Sequence, residues 1–147
     1  MKIVAQRVKK ARVYKAADGE TLGEIGEGLF VLVGFKKGDS EKSVEILAEK
    51  LFKLRVMSDS EGKMNLSVID TGSEILVVSQ FTLYADTAGG NRPSFIEAEE
   101  PEKANKLYKL FIEKLREKGI KVETGGFGDY MQIEATLDGP VTIIYSD

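Results

Sequence analysis

The chain is expected to fold as α+β, with mixed or antiparallel sheets and two main helices packed outside them. Three observations predict this. Strand-like segments outnumber helical ones. They do not alternate with helices in a regular βαβα order. No linker, internal repeat or low-complexity tract interrupts the 147 residues, a length that suits one domain, 1–147, with a sizeable core.

Each element has its own signal. Lys2 to Val13 alternates as a long first strand, with Ile3, Ala5 and Arg7 on one face and Val4, Gln6 and Val8 on the other. Arg7 therefore either faces inward and needs a partner or reaches solvent from a strand end. Asp18-Gly19 signals a hairpin into a weaker strand, Thr21 to Gly26. Gly28 to Phe35 is almost continuously apolar and reads as a central strand, followed by a loop at Lys36 to Asp39. A helix capped by Asp39 or Ser40 carries Val44, Leu47, Ala48, Leu51 and Leu54 on one stripe. Arg55 and Asn65 bracket turn residues at Ser60 to Gly62, and Asp70 to Ser73 is a turn.

Ile75 to Tyr84 is the segment of most interest. It opens as a buried β-branched run, then places Ser79, Gln80 and Thr82 within a continuing strand pattern. Polar groups in a core strand need partners. They either satisfy one another or face a ligand. The aperiodic stretch Ala85 to Phe95 follows, a surface loop or a functional one. Pro101 opens a second helix with Ala104, Leu107, Tyr108, Phe111 and Leu115 on one face, acids at its start and bases at its end, stopped by Gly119. Ile120 to Glu123 is a short strand. Thr124 to Asp129 is a glycine-rich bend without the Lys-Ser/Thr ending of a phosphate-binding loop. Met131 to Thr136 and Val141 to Tyr145 are two strands joined at Leu137 to Pro140, with Asp138-Gly139 as the turn.

Composition narrows the chemistry. Apolar residues make up 42% and charged residues 31%, as in ordinary soluble proteins. No apolar run approaches the ~20 residues of a membrane span, and Met1 to Arg12 mixes charges into a strand rather than a signal peptide. A cytoplasmic protein with no membrane partner is expected. The chain has no Cys and no His. That removes thiol nucleophiles, zinc-thiolate sites and the Ser-His-Asp triad. Catalysis would rest on carboxylates, Lys, hydroxyls, backbone dipoles or a substrate group. A net charge of −3 argues against wrapping long nucleic acid but not against gripping an RNA end.

Ser79-Gln80-Phe81-Thr82-Leu83 and Gly139-Pro140-Val141-Thr142 resemble the two signature motifs of the D-aminoacyl-tRNA deacylase family. Further matches are Gln6-Arg7-Val8, Arg55-Val56, Gly62 to Ser67, Asn91 to Phe95, Gly126-Phe127-Gly128 and Met131. The resemblance covers essentially the whole chain. Leu137, Gly89 and Asp129 depart from residues common in the family, Asp129 replacing a small one.

The resemblance implies a barrel-like core and a homodimer that hydrolyses the ester between a D-amino acid, or glycine, and the 3′-terminal ribose of tRNA. It implies proofreading that rejects L-aminoacyl-tRNA, a cis Gly139-Pro140 bond and no cofactor or metal. Ser79, Gln80, Phe81 and Thr82 are expected at the catalytic centre, with the N–H groups of Phe81 and Thr82 as oxyanion donors. Gly139, Pro140, Arg7, Phe127 and Met131 are expected to bind substrate, Arg7 by facing inward and holding the Gly139-Pro140 carbonyls or their surroundings. The Gly139-Pro140 pair of one chain is expected to enter the other chain's pocket. Two alternatives are a carboxylate- or metal-dependent hydrolase using Asp86, Asp129 and Asp138, and a non-catalytic module that binds an RNA end.

Overall fold

The computed structural model describes residues 1–146. The sheet is arranged around β1 (Lys2–Lys15). The first half of this strand lies between β3 (Gly28–Gly34) and the C-terminal β8 (Met131–Ser146). Its second half lies between β2 (Thr21–Ile25) and β8. From β3 the sheet continues in parallel through β6 (Glu74–Ser79) to β7 (Val122–Thr124). It curls until β2 meets β7, nearly closing a barrel. A Cβ on Gly23 would stand 2.8 Å from the Thr124 carbonyl oxygen, so glycine is what lets the two ends approach. Helices α1 (Glu41–Phe52) and α3 (Pro101–Arg116) pack outside, against the sheet and each other. Between them in sequence lie the small hairpin of β4 (Met57–Ser58) and β5 (Met64–Leu66) and the single turn α2 (Val68–Thr71).

Two apolar clusters result. The larger joins Ile3, Ala5, Val31, Val33, Ile75 and Val77 of the sheet to Val44, Leu47, Leu51, Leu107, Phe111 and Leu115 of the helices. The smaller fills the inside of the curl with Val8, Ala11, Val13, Ile25, Phe30, Leu76 and Val78. Strand β1 serves both. Its alternation sends Ile3, Ala5 and Arg7 to one side, then its pairing with β8 slips on either side of Val8. Such a slip changes which face is buried, and Val8, Ala11 and Val13 point into the smaller cluster. Because β3 and β6 lie between the two clusters, both faces are buried and nearly every residue is apolar.

Four expectations change. The Ile75 to Tyr84 segment is not one strand: β6 ends at Ser79, and Phe81–Tyr84 form a 3₁₀ turn. The polar residues therefore stand at a strand end, where ladder pairing stops. The C-terminal region is one strand, not two joined by a hairpin, because both halves pair with the same long β1. The chain bends there without reversing: Gly139 adopts φ +122° and the following peptide bond to Pro140 is cis. The expected turn at Asp70 to Ser73 belongs instead to α2 and its C-cap Gly72. Ser67 and Asp70 form a reciprocal capping box on this turn. Finally, α1 ends before Leu54, and Ser40 caps it by position without a side-chain bond. Asp39 is drawn away to the Lys36 N–H at 2.7 Å. Among the described residues no helix is long and apolar enough to cross a membrane.

Candidate active site

A cavity of about 750 Å³ opens beyond the C-terminal end of β6. Ser79, Gln80, Phe81 and Thr82 form one wall, and Phe127 and Met131 form another. The rest comes from the end of β3 (Gly34, Phe35), from Phe95, and from the start of α3.

The geometry of the first wall follows from Gly34. A Cβ there would lie 2.7 Å from the Gln80 carbonyl oxygen, so the bare glycine lets the chain leaving β6 cross directly over the end of β3. The Gln80 N–H donates to the Val33 carbonyl at 2.7 Å, the last bond before the chain turns. The 3₁₀ turn closes with the Leu83 N–H on Gln80 O at 3.3 Å and the Ala85 N–H on Thr82 O at 3.0 Å. Lys2 caps it, its Nζ donating to Leu83 O at 2.9 Å and lying 4.9 Å from the Tyr84 ring centre. The first N–H groups of a helical turn have no partner within it. Those of Phe81 and Thr82 find no backbone acceptor elsewhere among the described residues. Both residues line the cavity.

The Thr82 hydroxyl is engaged by its neighbour. Its oxygen accepts a hydrogen bond from the Gln80 side-chain amide, which draws electron density away from it. Among the described residues the cavity is lined by no Lys, Arg or His, and none of its carboxylates, Glu99, Glu100 and Asp129, is hydrogen-bonded to this hydroxyl.

The opposite wall is held by sulfur and aromatic contacts. The Gly126 N–H donates to Met131 Sδ at 3.2 Å, and Gly125 leaves room for that sulfur, 2.9 Å from where its Cβ would be. Phe127 lies against the buried Tyr108 with ring centres 5.7 Å apart. Tyr108 donates to the Val77 carbonyl at 2.9 Å, and burial pushes its phenol up from the ordinary tyrosine range. The ring of α3 thereby ties the glycine-rich bend to β6. At the mouth Phe81 and Phe95 meet edge to face with centres 5.0 Å apart, both exposed.

Arg7, Gly139 and Pro140 do not line this cavity within the chain. They form a separate cluster. Arg7 is turned inward, 9% exposed. Its Nη1 donates to the Val56 carbonyl at 2.6 Å, and its Nε lies 3.3 Å from the Asp138 carbonyl and 3.1 Å from Asp138 Oδ2. Arg7 therefore grips the residue before the Gly139-Pro140 pair, rather than the pair's own carbonyls. Asp86, Asp129 and Asp138 are not brought together either: only Asp129 reaches the cavity. Among the described residues no three acids are placed to share a metal ion.

Sequence reasoning missed Gly34, Phe35, Glu99, Glu100, Pro101, Ala104, Tyr130 and Ile133. The helical periodicity of α3 reports the face that meets the core, not which end overlooks a cavity. The glycine ending the apolar run of β3 is the one signal that could have pointed to a close chain crossing.

Residues 4–146 match the family model described as D-Tyr-tRNA(Tyr) deacylase. The chain is 56% identical over 144 residues to a Dehalococcoides mccartyi protein called D-aminoacyl-tRNA deacylase, covering 98% of this chain and 93% of that one. It is 55% identical over 127 residues to a Bacillus subtilis protein called inactive D-aminoacyl-tRNA deacylase, covering 86% and 96% respectively. Among solved structures it is similar to one called c-Myc DNA Unwinding Element Binding Protein, with a TM-score of 0.92, 41% identity, and coverage of 100% of this chain and 99% of that one.

Proposed function

The chain belongs to the D-Tyr-tRNA(Tyr) deacylase family, and on that premise we propose how its cavity carries out the reaction. The protein is a hydrolase that cleaves the ester between a D-amino acid and the 3′-terminal ribose of tRNA, a proofreading activity. One relative of similar identity is called inactive, so overall identity alone does not carry activity and the site must. The observation that carries it is the pair of unpartnered N–H groups at Phe81 and Thr82, in a cavity wall of a chain without His or Cys.

An aminoacyl ester is already activated. Water attacks its carbonyl carbon, and the developing oxyanion accepts hydrogen bonds from Phe81 and Thr82, fixed in place before reaction. The substrate's 2′-hydroxyl relays the water's proton to the departing 3′-oxygen, so D-amino acid and tRNA leave with atoms balanced. The protein contributes placement. Gln80 holds the Thr82 side chain, and Phe127 and Met131 bound the aminoacyl group.

Two copies are needed to complete the site. On the concave side of β8, Ile133 and Leu137 lie opposite Val13 and Val8, next to the smaller cluster, yet both are exposed. Ile133 also lines the cavity. A second copy seated on this face would cover it and bring its own Gly139-Pro140 to the cavity wall, forming two equivalent sites about a two-fold axis. Rigid backbone there would hold the amino group and leave no room for an L side chain. Glycine, with no side chain, would pass.

The test is to incubate one tRNA carrying D- or L-amino acid with the protein, with and without chelator, and follow release. Rapid release from the D ester alone, unaffected by chelator, is expected. Comparable release of both enantiomers would reject the reading, and binding without release would favour an RNA-end module. Thr82→Ala is expected to keep activity within a few-fold of wild type, since the N–H remains. A loss of the ~10²–10³-fold typical of removing an oxyanion donor would return the chemistry to the hydroxyl.

A further inference from the structure

We propose that Asp129 makes the cavity select substrates by charge, disfavouring D-aspartyl and D-glutamyl esters against their amide isosteres. This rests on the deacylase reading above.

Every charged side chain lining the cavity is an acid: Glu99, Glu100 and Asp129. A cleft walled by one sign of charge focuses its field on whatever enters. Two of the three are offset. Glu99 is paired with Lys103 at 2.7 Å, and Glu100 stands at the N-cap of α3, against the positive end of the helix. Asp129 forms no ion pair among the described residues. The base that feels it, Lys15, is itself paired with Glu20 at 2.6 Å. Asp129 is exposed, at the edge of the cavity. Its carboxylate folds back over Gly126, where Oδ2 would lie 1.9 Å from a Cβ, so only glycine admits this conformer. It thus sits on the bend that carries Phe127, two residues before Met131 opens β8, beside the wall that bounds the aminoacyl group.

Two like charges about 6 Å apart in a half-solvated cleft repel enough to change a rate roughly three- to tenfold. The experiment compares kcat/KM for D-asparaginyl and D-aspartyl esters on one and the same tRNA, which differ in charge but hardly in shape. Wild type is expected to favour the D-asparaginyl ester by roughly three- to tenfold. In Asp129→Asn that ratio should fall to within about twofold of unity. In wild type at 1 M salt, where screening acts over ~3 Å, it should fall likewise. Equal rates in wild type, or a preference that survives both changes, would overturn the proposal. Resistance of both esters would instead reject the deacylase reading, and this inference with it.

Discussion

About a quarter of wild-type activity is expected to return when two inactive variants are mixed. The first, Phe81→Pro, removes one oxyanion donor. Gln80 has φ −143° and ψ 87°, outside the α region that a following proline disfavours, and proline is tolerated at the first position of a helical turn. The fold should therefore survive while activity falls ~10²–10³-fold. Phe81→Ala, which keeps the N–H, separates this effect from loss of the ring. The second variant is Gly139→Ala. Gly139 has φ +122°, and a Cβ there would stand 2.8 Å from Val141 Cγ2 and 3.0 Å from the Val141 nitrogen, so the pair must shift. After subunit exchange, heterodimers form about half the population by two-fold symmetry, and each holds one site with both parts intact. Mass measurement confirms the exchange. Exchange without recovered activity would place the whole site in one chain.

Arg7→Ala is expected to lose about 2–3 kcal/mol of stability and to narrow the preference for D over L esters. Truncation leaves the Val56 carbonyl without the donor that now reaches it at 2.6 Å, and an unsatisfied buried acceptor costs ~1–3 kcal/mol. It also frees Asp138, whose carboxylate is 3.1 Å from Nε and only 3.7 Å from Lys9. The segment leading into Gly139 then loses its anchor to the β4 region. Arg7→Lys should recover only part of this, since one ammonium cannot bond Val56 and Asp138 in two directions. Chemical denaturation and the D/L ratio of kcat/KM provide the readouts. Unchanged values in both would remove Arg7 from this role.

Residue pattern alone determined the α+β class, the long first strand, the buried β3 and β6, and both main helices, because apolar periodicity is a local property. The missing His and Cys determined which chemistries could not apply. The motifs containing Ser79 to Thr82 and Gly139-Pro140 were legible as a resemblance, but not their placement. Only the tertiary structure ended β6 at Ser79, since that depends on Gly34 of a neighbouring strand yielding space to Gln80. It alone ran Met131 to Ser146 as one strand, because Asp138-Gly139 reads locally as a turn, while pairing along all of β1 holds the chain extended. It alone separated Arg7 and Gly139-Pro140 from the cavity, and brought Asp129 and the start of α3 to it. These are contacts between distant segments, set by how β1 divides its two faces between two clusters, and no spacing along the chain encodes them.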